Sequence, residues 1–168
     1  MKKLSILTAG ILMVFSLAIV TFYTSCTDPC KDVSCLNAGT CVDGTCNCAS
    51  GFEGDDCGTE IRAKFKGPWT AADGCSLSGS ASYGVSVSSG TGIFDVKITN
   101  VWNSFVNSVN ATVSGTTITI LTQEPDNDGF TVSGTGTINA AGNSITWSYT
   151  VTDSGSGLSD VCTSTWTN

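Results

Sequence analysis

Six cysteines lie between Cys30 and Cys57, separated by four, five, four, one and eight residues. A stretch this short has too little apolar surface to fold around a core, so crosslinks or a metal must hold it. Cysteine-based zinc sites favour paired C-x-x-C knuckles, and the chain contains neither such a pair nor any histidine. Disulfides are therefore expected, which implies an oxidising compartment. The spacing alone leaves many pairings open.

The N-terminus is consistent with export. Lys2 and Lys3 are followed by a mostly apolar run over 4–20, then by a short, more polar end, Thr21 to Ser25. This is the three-part build of a secretory signal. With Thr24 and Ser25 directly before Cys26, it resembles a bacterial lipoprotein signal, although Tyr23 stands where that family usually carries an aliphatic residue. The resemblance implies cleavage before Cys26 and acylation of that cysteine, anchoring the chain in the outer membrane and facing either the periplasm or the exterior. Ordinary cleavage and an uncleaved membrane helix are the alternatives, since the apolar run is near the spanning threshold of about 20 residues. Acylation of Cys26 also leaves an even number of the nine cysteines. Without residues 1–25 the chain holds five basic residues against 14 acidic ones, a net charge of −9. An acidic chain without a basic stripe excludes nucleic acid as the expected partner.

Within the cysteine stretch, Cys48 to Cys57 reads C-x-x-G-F-x-G-x-x-C, with Gly51, Phe52 and Gly54 at the fixed places, and CLNAGTC stands upstream. The pattern over 30–57 resembles the EGF-like family. The resemblance implies the pairs Cys30–Cys41, Cys35–Cys46 and Cys48–Cys57. Calcium-binding members carry an acidic set before the first cysteine and an Asn or Asp followed by an aromatic between the third and fourth. Here the corresponding stretches are Thr27-Asp28-Pro29 and Val42-Asp43-Gly44-Thr45, so no calcium is expected. Seven carboxylates (Asp28, Asp32, Asp43, Glu53, Asp55, Asp56, Glu60) against Lys31 read as a solvated spacer, with an acidic contact face as the alternative.

After a linker over 58–63 the pattern changes. Strands are expected at 64–69, 81–87, 93–99, 105–113, 116–122, 129–137, 144–151 and 159–166. Phe94, Val96 and Ile98 alternate on one face, and Ile145, Trp147, Tyr149 and Val151 on another, the period of a half-buried antiparallel strand. The separators are turn-forming Gly, Asn, Asp and Ser, and no helix of useful length is expected. The chain is thus all-β, and 64–168 is an antiparallel eight-stranded barrel or, alternatively, a β-sandwich. Gly67-Pro68-Trp69 gives a G-x-W at the first strand, which resembles the opening of the calycin group (lipocalins and avidin-like proteins) and the small calycin-like barrels of bacterial lipoproteins. Cys75 and Cys162 remain, one after the first strand and one in the last, and closing a barrel brings them together.

The aromatics Trp69, Trp102, Trp147, Trp166, Phe94, Phe105 and Phe130 read first as core, because a barrel of this size is either filled by side chains or holds one small ligand. Trp69, Trp102, Trp147 and Tyr149 are the candidate ligand residues. Trp102, flanked by Asn100, Asn103 and Asn107, is the best candidate for an exposed platform. Glu124, Asp126 and Asp128 imitate the start of a calcium loop, but Thr135 stands where the closing glutamate belongs, and a hairpin turn is the simpler reading. No metal or other cofactor is expected. Nor is catalysis, because histidine is absent and no serine or threonine sits in a nucleophile motif. The expected function is display of a binding or adhesive surface toward protein or glycan. A carrier of a small apolar ligand and a structural envelope component are the alternatives.

Overall fold

The structure, a computed structural model, describes residues 28–168. Cys26 and the signal lie outside the described residues. The cysteine module is built from two short antiparallel pairs. β1 (Thr40–Val42) pairs with β2 (Thr45–Asn47), and β3 (Phe52–Glu53) pairs with β4 (Thr59–Glu60). The β1–β2 turn is Asp43-Gly44, both at positive φ (49° and 82°), the mirror-image turn whose twist matches that of the flanking strands. Disulfides join Cys30 to Cys41, Cys35 to Cys46 and Cys48 to Cys57.

The rest of the chain is a closed eight-stranded barrel of successive antiparallel neighbours. Its strands are β5 (Gly67–Cys75), β6 (Gly79–Ser89), β7 (Asp95–Thr99), β8 (Val109–Ser114), β9 (Thr117–Gln123), β10 (Phe130–Ile138), β11 (Ser144–Asp153) and β12 (Ser159–Thr167). The chain closes where β12 pairs with β5, with Cys162 directly opposite Cys75, and these two are bonded. Full closure removes the unpaired edges that an open sheet exposes.

Alternation fills the interior. Trp69, Ala71 and Asp73 point inward from β5, as do Val109, Ala111 and Val113 from β8 and Ile145, Trp147, Tyr149 and Val151 from β11. Trp147 and Trp166 pack with ring centroids 4.7 Å apart. Two glycines make room for this bulk. Gly136 lies opposite Trp147 and Gly134 opposite Tyr149, and a Cβ on Gly136 would stand 2.6 Å from the Trp147 ring. Glycine within a strand commonly marks such close approach. β9 carries a bulge beside β10, between the Gln123–Val132 and Ile120–Gly134 pairs, and Leu121 there is exposed.

Three boundaries differ from the sequence reading. The first barrel strand begins at Gly67, because Ile61–Phe65 forms a 3-10 turn. Its Phe65 is fully buried and accepts the Trp69 indole N–H through its carbonyl at 2.9 Å. The stretch expected as linker is therefore a packed junction. Arg62 sits among the carbonyls of Gly90, Gly92 and Asp95 at 3.1, 2.7 and 3.0 Å and pairs with Glu60 at 2.9 Å. Phe94 precedes β7 and is half-buried; its ring, with Ile93, lies against Gly51 of the cysteine module. The strand expected at 105–113 starts only at Val109, after a loop that folds over the barrel end.

The Cys75–Cys162 bond spans a sequence separation of 87, which corresponds to about 4–5 kcal/mol in the chain-entropy model. The double variant Cys75→Ala, Cys162→Ala is expected to lower stability by about 3–5 kcal/mol, read by denaturant unfolding, while far-UV circular dichroism stays that of the barrel. A loss below about 1 kcal/mol would mean that strand pairing alone seals the seam.

Candidate functional site

The two ends of the barrel differ in kind. At one end, the cysteine module, the 3-10 turn and the β6–β7 connection close the barrel. At the other, termed the open end because two surface cavities enter it, the connections 76–78, 100–108, 124–129 and 154–158 meet, Val101 and Phe105 of the second cover the interior, and the site lies there.

Its centre is Trp102. Asn100, Trp102 and Asn103 all have positive φ (62°, 59° and 52°). A bulky residue in this region costs energy and persists only where surrounding contacts enforce it, often at functional sites. The contacts are specific. Asn100 Nδ2 donates to the Gly84 carbonyl at 2.8 Å. The Trp102 ring lies 5.9 Å from Phe105 and 5.8 Å from Phe130, tilted against both. Its Nε1 donates to Asp160 Oδ2 at 3.1 Å and to Ser78 Oγ at 3.3 Å.

Asp160 organises this end. It points inward from β12, only 4% exposed. It accepts the backbone N–H of Leu77 at 2.7 Å and of Ser78 at 3.2 Å, and the hydroxyls of Ser78 at 2.6 Å and Ser76 at 3.2 Å. Burial works to raise its pKa, but the donors from Ser78, Leu77 and Trp102 together outweigh it and hold the carboxyl down at about 2.

A second carboxylate, Asp73 on β5, lies inside the same end. Its Oδ2 accepts the hydroxyls of Tyr83 and Tyr149, both at 2.5 Å. Burial, reinforced by the bond to Asp73, pushes both phenols above their ordinary value, so both remain protonated donors. Asp73 Oδ1 is buried with no partner among the protein atoms.

Two cavities flank Trp102. The larger, of about 310 Å³, is lined by Leu77, Trp102, Phe130, Val151 and Leu158, with Ser78, Asp153, Ser156 and Asp160 at its polar side. Leu77 and Leu158 are each 63% exposed at its rim. The smaller, of about 210 Å³, contains Asp73, Ser78, Ala81, Trp102, Asn103 and Ser104.

Of the four candidate ligand residues, the structure brings only Trp102 to an accessible surface, half-buried at the open end. Trp69, Trp147 and Tyr149 are 2–3% exposed and belong to the packed interior. Trp102 is not a freely exposed platform, since its indole N–H and ring are both engaged. Glu124, Asp126 and Asp128 are held apart on separate backbone donors. Glu124 accepts from Gly129, Asp126 from Val106 and Asn107, and Asp128 from Phe130. They shape the loop and pin it to the 100–108 connection instead of converging on one point. Among the described residues, the group with metal-ligand proximity is Cys75, Asp160 and Cys162, whose two sulfurs are spent on each other.

The sequence reading missed Asp73, Tyr83 and Asp160. The signal was present: counting back in twos from Trp166 places Ser164, Cys162 and Asp160 on the inner face, and counting forward in twos from Trp69 reaches Ala71 and Asp73.

Comparison with known proteins bears mainly on the cysteine module. Over 46 residues, 27% of its length, the chain is 50% identical to EGF-like domain-containing protein 2 of Pinctada maxima and equally to EGF-like domain containing protein 2 of Margaritifera margaritifera. The matched region is about 12% of the length of those relatives. No family model matches the chain. Among solved structures, a redesigned β-barrel is 14% identical at a TM-score of 0.47, covering 64% of this chain and 94% of its own. A Bacteroides ovatus protein of unknown function is 14% identical at a TM-score of 0.42, covering 61% and 41% respectively.

Removing the Asp160 carboxylate strands several buried donors. Asp160→Ala is expected to cost about 2–4 kcal/mol in chemical denaturation. A carboxyl with a lowered folded pKa contributes stability that is complete above its unfolded value, 3.8, and lost as pH falls through about 2. The stability difference between wild type and Asp160→Asn should therefore shrink across that window. A difference independent of pH there would remove the carboxylate as the organiser.

Proposed function

We propose that the protein is a non-catalytic binding protein of the bacterial outer membrane. In this reading Cys26 carries the lipid, the EGF-like module is the stalk, and the open end of the barrel is the binding face. The observation that carries it is Trp102: an aromatic residue held at positive φ, with its N–H bound to the buried Asp160, walls a cavity at the open end. The geometry of display supports it as well. The stalk joins at Gly67 and the open end begins after Cys75, nine residues along β5, or roughly 25–30 Å at about 3.3 Å per residue. The open end thus lies at the far end of β5 from the cysteine module.

The ligand is an apolar group of small-molecule size. The larger cavity is walled by Leu77, Phe130, Val151, Leu158 and the Trp102 ring. At about 310 Å³ it is at the lower end for ligand sites, which run from about 300 to 1,000 Å³. A ligand deep in the barrel is disfavoured, because Trp147, Trp166, Ile118 and Ile145 fill the interior.

Two measurements test this. Oxidised protein comprising residues 27–168, titrated with the neutral fluorophore N-phenyl-1-naphthylamine, should show saturable binding near one per chain, weakened at least tenfold by Leu158→Asp on the exposed rim. Non-saturable binding, or an unaffected Leu158→Asp variant, would refute the site. Separately, radiolabelled palmitate should enter the chain in bacterial cells, and Cys26→Ser should abolish that label and release the protein from membranes. Label persisting in Cys26→Ser would sink the lipid anchor.

A further inference from the structure

The smaller cavity has no part in the apolar reading, and its chemistry differs. Asp73 is the one buried residue among those lining it. A buried carboxylate demands hydrogen-bond partners for both oxygens and, ordinarily, a countercharge. Asp73 Oδ2 has two tyrosine donors, whereas Oδ1 has no partner. No basic side chain serves it: among the described residues the ion pairs are Arg62–Glu60 and Lys64–Glu53, both at the opposite end. Tyr83 and Tyr149 are held protonated by burial first and by Asp73 second, so both remain donors to Oδ2. The cavity, about 210 Å³, is several times the roughly 30 Å³ that a water molecule occupies in the liquid. Beside Asp73 its lining includes Ser78, Ser104, Asn103 and Trp102, of which the Ser78 hydroxyl and the Trp102 N–H already donate to Asp160.

We propose that this cavity is a subsite for the ammonium group of a small primary amine, with the Asp73 carboxylate as its principal acceptor. An ammonium carries three N–H donors and no acceptor, which suits one unpartnered carboxylate oxygen with hydroxyls nearby. An aromatic wall adds attraction for a cation. A divalent metal is a poorer fit, since calcium takes six to eight oxygen ligands and the cavity supplies a single carboxylate. The two cavities share Ser78 and Trp102, so an amine seated at Asp73 would extend its carbon chain past Trp102 toward the apolar cavity. The proposal rests on the open end being the binding face, but not on the apolar cavity being occupied.

The test is saturation-transfer difference NMR on the oxidised full chain with butylammonium chloride as the probe and butanol as its neutral counterpart. Butylammonium should bind saturably and butanol at least tenfold more weakly. Asp73→Asn, close in shape, should weaken butylammonium at least tenfold. Ala81→Leu should do the same by filling the cavity from an exposed position that leaves the core intact. Leu121→Ser, exposed and lining neither cavity, should leave butylammonium binding unchanged, and N-phenyl-1-naphthylamine titrated in parallel separates failure of the apolar site from failure of this one. The proposal is overturned if wild type shows no saturable binding, the orphan oxygen then being met by water only. Butylammonium binding at wild-type strength in either Asp73→Asn or Ala81→Leu would also overturn it.

Discussion

The pairing of β12 with β5 is the contact on which the rest of this molecule depends. Every other strand contact joins neighbours in sequence and costs little loop entropy to form. This one joins the two ends of a hundred-residue meander, and the Cys75–Cys162 bond fixes its register. Once that register is set, the inner faces of both strands are determined. Trp166 and Trp69 turn into the core, and Asp160 and Asp73 turn in near the other end. The same closure that hides the strand edges thus delivers two acids to the barrel's open end. Slipping the pairing by one residue would turn Trp166, Cys162 and Asp160 outward together, so closure and site stand or fall as one.

The closed end uses the opposite strategy. There the chain enters through a 3-10 turn whose Phe65 covers the interior, and Arg62 gathers three carbonyls of the β6–β7 connection. An arginine suits this role because its planar guanidinium offers several donors at once. Gly51 lets the disulfide module approach Ile93 closely, since a Cβ there would stand 2.7 Å from that side chain. Module and barrel are therefore joined by packing and hydrogen bonds as well as by the chain.

Much of this was legible in the sequence, and what was not has physical causes. The C-x-x-G-F-x-G-x-x-C pattern and the strand alternation carried the module and the barrel, because sulfur spacing and a period of two are local signals. The first strand was misplaced because Lys64 and Phe65 look like strand residues until Phe65 is seen capping a core formed by residues far away. Phe94 fits the alternation of Val96 and Ile98 but precedes their strand, packing beside the stalk's Gly51. Trp102 was singled out for its polar neighbours, yet its position depends on Asp160, 58 residues later. Asp73 and Asp160 escaped notice because an acidic residue in a Ser- and Thr-rich strand is ordinarily outward-facing. Only the registers of Trp69 and Trp166 reveal that these point inward.

The distribution of departures from ordinary packing supports reading the open end as the working end. Elsewhere the barrel has alternating faces, tight turns and an aliphatic and aromatic core, within which the Trp147 and Trp166 indole N–H groups are also buried without a partner. Around Trp102 several irregularities coincide: three non-glycine residues at positive φ, a carboxyl held near 2, an orphan carboxylate oxygen and exposed leucines at the rim. The strained backbone, the orphan oxygen and the exposed leucines each lower stability or solubility on their own, and natural sequences tend to concentrate such departures at functional sites. The closed end contains a comparably buried charge, Arg62, but satisfies it with Glu60 and three carbonyls. The fold can therefore satisfy buried charge where structure alone is at stake, and Asp73, with one oxygen left without a protein partner, is the exception at the other end.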